Sequence, residues 1–388
     1  MRKKLAQNIS YIFSNSRYLL YLKTGGVGGK VFSQTVERQV CLSPSAWMES
    51  RVCEKSLPPT PCQIKKNRPV ISSYSFFLCL LFSNFSDASC THHKQCEADR
   101  VINKIYQILN NSAITQLSAK LNIISASFLG KQYLLGALGE GLKARFDQGP
   151  QYRIDAFDCE TYVTTVLALA LANDLSSFKN CLTKIRYFNN KRSYINRNHF
   201  TELDWNNNNQ RQGFIKDLTN DFTSATNQPL AKIASTMIDK PSWYRKRTIN
   251  DLCLPNLAAA EKIRRLNELK RLGNKLPKCR SNLPYIPLTA LFNAQGKPNK
   301  FVFAQIPDAA IIEIVRPNWQ LIDKIGTNLN VSHMGFAFWK KNILFFREAS
   351  SIYHKIVDIA LIDYLLPLRN SPTIKGINIQ VVSTHHKI

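Results

Sequence analysis

The chain is predicted to fold as an α+β protein, and three observations carry that prediction. Apolar residues at helical spacing concentrate before about residue 272, short β-branched and aromatic runs concentrate after about residue 285, and no internal repeat relates the two parts. Successive strands with short connections point to a mostly antiparallel sheet, on which the helix that starts at Cys159 would pack. With 388 residues, 44% of them hydrophobic, the chain can bury a full core, as one large domain with extensions or as two domains. Its net charge of +26 and pI of about 9.8 call for an anionic partner: nucleic acid, a membrane surface or an acidic wall polymer. The basic residues are dispersed, without zinc-finger spacing or the aromatic interleaving of a single-strand-binding surface.

The compartment follows from residues 65 to 88. Lys65-Lys66-Asn67-Arg68, the apolar run Ser75 to Phe82, and Ser86-Asp87-Ala88 have the order of a signal peptide cleaved after about Ala88, which predicts export to the periplasm or beyond. The run is short for a membrane span, so no stable insertion is expected after cleavage, and export argues against nucleic acid. Residues 1 to 64 then read as a non-native or disordered extension, with translation starting close to Val70 or slightly before it. The glycines between Thr24 and Val31 do not form a phosphate loop, because the required first glycine and the hydroxyl after Lys30 are both missing.

Along the mature chain, helices are expected over residues 96 to 111 and 118 to 128, followed by a loop in which Gly130, Gly136, Gly139 and Gly141 let backbone approach closely. Asp158 can accept from the free amides of a first helical turn, and Val163, Val166, Leu167, Ala170 and Leu171 recur at helical spacing. A buried helix therefore begins at Cys159. Unpaired amides there favour thiolate over thiol, which makes Cys159 a candidate nucleophile; the alternative is a small buried residue. Residues 178 to 185 form another amphipathic helix, with Cys181 as an inert core thiol. The polar run Asn196 to Trp205 suits a loop at a binding face, and Asn206 to Arg211 an exposed turn. A helix over residues 257 to 272 would turn Ile263, Leu266 and Leu269 inward and Lys262, Arg264, Arg265, Lys270 and Arg271 outward. Cys253 and Cys279 could pair in an oxidising compartment, as could Cys90 and Cys96. Strands are expected at residues 285–287, 301–303, 310–315, 333–339 and 342–347.

A thiol nucleophile needs a base and a group that orients the base. His333 follows Asn330-Val331-Ser332 and opens a predicted strand, so its ring can sit at a sheet edge facing a helix N-terminus. The pairs His92-His93 and His385-His386 lack metal-ligand spacing, and neither metal nor other cofactor is expected.

A helix-initiating Asp-Cys, a later Ser-His-x-Gly and a polar residue on the next strand resemble the NlpC-type papain-like cell-wall amidases. More narrowly, Tyr133 to Gly141, Phe157 to Val163, Arg197-Asn198-His199-Phe200 with Asp204-Trp205, Ile306-Pro307-Asp308-Ala309, Ser332 to Gly335 and Arg347 to Ser351 are similar to the motifs of the N-acetylmuramoyl-L-alanine amidase-like family. The resemblance spans about residues 97 to 383 and implies a single papain-like amidase domain, acting as a monomer on peptidoglycan or muropeptides. It implies Cys159 as nucleophile, His333 as base and Tyr133 in an oxyanion or positioning role. Asp158, Arg197, His199, Asp204, Trp205 and Ser332 would contact substrate, with Arg197 suited to a stem-peptide carboxylate. Where the family places a histidine to orient the base, this chain has Glu348, and a carboxylate can perform that task. Two further readings stay open: a non-catalytic wall-binding module, and a related peptidase that cleaves within the stem peptide.

Overall fold

The computed structural model describes residues 96–112 and 114–383, and the backbone of a two-residue ladder between Leu19–Leu20 and Gln34–Thr35. That ladder apart, the expected extension and signal segment, Cys90 and both histidine pairs lie outside the described residues. Helices α1 (96–111) and α2 (Leu117–Ala126) lead into two short strands, β1 (Gln132–Tyr133) and β2 (Ala156–Phe157). Helix α3 (Cys159–Leu171) follows at once. Its start is fixed by a reciprocal cap, in which the Thr161 amide donates to Asp158 Oδ1 and the Asp158 amide donates to Thr161 Oγ1. Every residue of α3 except Glu160 is buried, so the helix is a core element and not an amphipathic cover.

Helix α4 (Leu175–Arg186) flanks α3, and its Cys181 is a core thiol whose pKa burial pushes up to about 12. The polar run beyond it corrects the sequence reading. Residues Thr201–Trp205 form a π-turn, and Asn206–Arg211 is a helix, α5, in which Asn206, Asn208 and Asn209 are buried. The side-chain amides of Asn208 and Asn198 donate to the carbonyls of Lys184 and Ile185, which the end of α4 leaves open. Asparagines that cap another helix look, in sequence, like a solvated turn.

The rest is mostly sheet. In chain order the strands are β3 (Ile215–Asp217), β4 (Lys232–Asp239), β5 (Lys278–Pro287), β6 (Ala310–Trp319), β7 (Leu329–Lys340), β8 (Ile343–Ser350), β9 (Lys355–Ala360) and β10 (Gly376–Val382). Ten strands form one sheet in the order β2-β1-β9-β8-β7-β6-β10-β5-β4, with β3 beside β10. Every pairing is antiparallel except β1 with β2. The sheet curls: Asn330 Nδ2 on β7 donates to the Ala234 carbonyl on β4, and Ala234, Leu283, Tyr285, Val315 and Val331 pack inside the curl. One face of the central strands meets α3, where Tyr162 lies edge-on to Phe336 with centroids 6.2 Å apart. A second cluster built on Ile312, Ala337, Phe346 and Leu361 packs elsewhere on the sheet.

Two expectations fail for identifiable reasons. Phe301-Val302-Phe303 is helical (Lys300–Ala304) because the Asn299 carbonyl accepts from the amides of Val302 and Phe303 and closes a turn. Helix α6 (Lys240–Arg245) was not expected; in α7 (Ala259–Gly273) the expected helix is present with Leu266 and Leu269 buried, but Ile263 is 48% exposed. Arg145 pairs with Glu261 and Glu268, and that clamp turns the acidic side of α7 toward the body of the protein. Cys279 is a thiol, so the expected pairing of Cys253 with Cys279 does not form, while the other expected pair involves Cys90, outside the described residues. No helix among the described residues is long and apolar enough to cross a membrane.

Candidate active site

The site begins at the head of α3. Asp158 was expected among the substrate contacts, yet both of its oxygens are used internally: Oδ1 caps Thr161, and Oδ2 accepts from the Gly136 amide at 3.0 Å. The carboxylate thus pins the glycine-rich loop to the helix start. Gly136 needs its φ of +67° to present that amide. Cys159, 4% exposed, is disulfide-bonded. Tyr133, on β1 beside Phe157, has a hydroxyl pKa raised first by burial and then by the charges of Asp158 and Glu348. Its ring therefore stands within electrostatic reach of both the head of α3 and the residue expected to orient the base.

His333 does not open its strand; β7 begins at Leu329. It lies instead where two strands part. The ladder between β7 and β8 ends at Phe336–Arg347, after which β7 stays paired with β6 and β8 with β9. His333 and Glu348 lie just past that end, and His333 Nε2 meets Glu348 Oε2 across the gap. Both are almost fully buried, in a wall formed by the Phe346 ring at 5.7 Å and the Tyr364 ring at 6.4 Å. Gly335 explains the Ser-His-x-Gly spacing: a Cβ there would lie 2.7 Å from the Phe346 ring, so only glycine leaves room for the aromatic wall beside the histidine. Ser332 is buried and donates to the Ile314 carbonyl, a strand contact and not a substrate one.

The residues read as a cleft lining divide into two groups. Arg197 is buried in an ion triad, Nε donating to Glu140 Oε1 and Nη2 to Asp147 Oδ2, each at 2.7 Å. Its charge is already matched, so it is not available for a substrate carboxylate. Trp205 is fully buried and donates from Nε1 to Thr164 Oγ1 on α3. His199 and Asp204 keep part of their surface open. His199 Nε2 donates to the Tyr194 carbonyl at 2.8 Å, which leaves the lone pair on Nδ1, and burial followed by the Arg197 charge holds its pKa well below the usual range. Asp204 is paired with Lys240 Nζ.

Three carboxylates escaped the sequence reading. Glu160 is the partly open residue at the start of α3, its pKa raised by burial and partly restored by Arg186. Glu202 accepts from the Asn330 amide at 2.6 Å and Glu313 from Asn206 Nδ2 at 3.1 Å, and burial raises them to about 7 and about 8. Isolated acids in sequence carry no sign of such burial; only the position of Glu160 beside Cys159 could have drawn notice.

The model of the N-acetylmuramoyl-L-alanine amidase-like family matches residues 123–374. A solved protein from Legionella pneumophila is 52% identical, over 77% of this chain and 98% of that one, with a TM-score of 0.74. An N-acetylmuramoyl-L-alanine amidase from Bacteroides uniformis is 24% identical over 69% of this chain and 100% of its own, with a TM-score of 0.49. No curated protein matches the chain.

Proposed function

The chain belongs to the N-acetylmuramoyl-L-alanine amidase-like family, and from that premise we propose that it is an exported cysteine hydrolase of peptidoglycan, cleaving the amide between N-acetylmuramic acid and L-alanine. The observation that carries this reading is the buried pairing of Glu348 with His333, which supplies an orienting group where the expected histidine is missing. With Nε2–H held by the carboxylate, His333 keeps its lone pair on Nδ1, the form a general base requires. Released from its disulfide, the Cys159 thiol sits at a helix N-terminus, where the amides favour thiolate.

In the proposed reaction the sulfur bonds to the lactyl carbonyl carbon, and His333 receives the thiol proton. The Cys159 amide stabilises the oxyanion, a task in which the Tyr133 hydroxyl assists. The C–N bond then breaks, the alanine amine leaves with the proton from His333, and water resolves the thioester. The dispersed positive charge suits an acidic wall polymer.

Muropeptides incubated with reduced protein test the reading by mass spectrometry. Loss of the intact stem peptide is expected, abolished in Cys159→Ala and dependent on reductant. Cleavage inside the stem would make the protein a peptidase instead, and binding to sacculi without any cleavage would make it a wall-binding module.

A further inference from the structure

One element at the head of α3 has no part in that scheme. Glu160 is the single residue of α3 that is not buried, and the side chains behind it form a one-way hydrogen-bond relay. Trp205 Nε1 can only donate, and it donates to Thr164 Oγ1 at 3.0 Å. The Thr164 hydroxyl, its acceptor side thus engaged, turns its own hydrogen to Glu160 Oε1 at 2.8 Å. Trp205 and Thr164 are 0% exposed, so the direction of the relay is fixed by packing and Glu160 is held in one rotamer. Among the described residues no group donates to the second oxygen, Oε2, and the residue keeps part of its surface open one position along from Cys159.

Behind the carboxylate the protein has placed a cation. Arg186 is 1% exposed, its Nη1 reaches only the Gly139 carbonyl at 3.5 Å, and its Nε and Nη2 have no hydrogen-bond partner. Its charge acts on Glu160 before any other charged group does. Arg197, by contrast, is consumed by Glu140 and Asp147. The partly open position that follows Cys159 in the chain is therefore an acceptor, its negative charge favoured by a buried guanidinium.

We propose that Glu160 is a substrate-binding residue, its Oε2 accepting a hydrogen bond from an N–H or O–H donor of the substrate next to the scissile amide, and that Thr164 and Trp205 are positioning residues that act through it. This rests on the amidase reading above for the identity of the substrate. It reverses the expectation from Arg197: the polar group offered beside the nucleophile selects a donor, not a carboxylate.

The test separates binding from turnover by using Cys159→Ala as the background. Muramoyl dipeptide is titrated calorimetrically against that protein and against versions that add Glu160→Gln, Thr164→Val or Thr164→Ser. Glu160→Gln keeps an oxygen for Thr164 but turns an NH2 outward, and Thr164→Val keeps the shape and breaks the relay. Both are expected to weaken binding about tenfold, while Thr164→Ser, which restores the hydroxyl, stays within about twofold. N-acetylmuramic acid as a second probe tells the source of the donor: weakening for both probes points to a donor on the sugar, a hydroxyl or the acetamido N–H, and weakening for the dipeptide alone to a peptide N–H. Unchanged affinity in Glu160→Gln overturns the proposal, and because that change is at a partly open position a folding defect does not obscure it. Binding that depends on Glu160 without turnover by the cysteine protein would overturn the amidase reading and leave this one standing.

Discussion

The two halves of the candidate site are built in opposite ways. At the head of α3, Cys159 is positioned by bonds among near neighbours: Asp158 caps Thr161 three residues on and ties down Gly136 on the adjoining loop. His333 and Glu348 are brought together by strands whose ladder has already ended, and their address depends on the register of β6 through β9. The first half is fixed as soon as a helix starts. The second is fixed only when the sheet is complete, since a one-residue slip would turn either side chain to the other face.

That contrast can be tested in order of expected effect. Glu348→Gln can donate to His333 Nε2 and so stabilise the wrong tautomer; kcat should fall by roughly a hundred- to ten-thousandfold, about 3 to 5 kcal/mol, with little change in Tm. Unaltered turnover would remove Glu348 from the site. Arg197→Met should act the other way, on stability, because it strands Glu140 and Asp147 without their buried cation; a loss of about 3 to 5 kcal/mol in denaturant unfolding is expected.

The buried acids behind the sheet give a pH signature. Glu313 and Glu202 have folded-state pKa values of about 8 and about 7 against an ordinary 4.5, with burial as the main cause. Between 4.5 and those values the folded chain holds protons that the unfolded chain has released, so stability should fall as pH rises through this window. Thermal melts from about pH 5 to about pH 8 should show the decline, on the order of a few kcal/mol, and Glu313→Gln should remove most of it. The smallest effect belongs to the local half: Asp158→Ala loses one cap and one loop anchor, about 1 to 2 kcal/mol. A larger loss would mean that the head of α3 depends on distant contacts as much as the His333 pair does.

Legibility in the sequence follows the same division. The start of α3 at Cys159 was readable because cap and periodicity are local, and His333 with Glu348 was readable through the order of motifs. The arrangement of Arg197 was not, because an arginine matched by two acids 50 and 57 residues away looks the same in sequence as one awaiting a ligand. Trp205 was singled out for the wrong reason: it supports Glu160 from inside the core and does not line a surface. Much of the strand content between residues 212 and 284 went unread, since β4 alternates exposed and buried positions with few strong apolar residues among them.

The parting of β7 and β8 has a bearing on how such a protein can change over generations. No ladder pair between these strands includes Glu348, whose backbone pairs with Val357 on β9 instead. A substitution at position 348 is thus felt by the His333 pairing and the aromatic wall around it, and leaves the β7–β8 ladder alone.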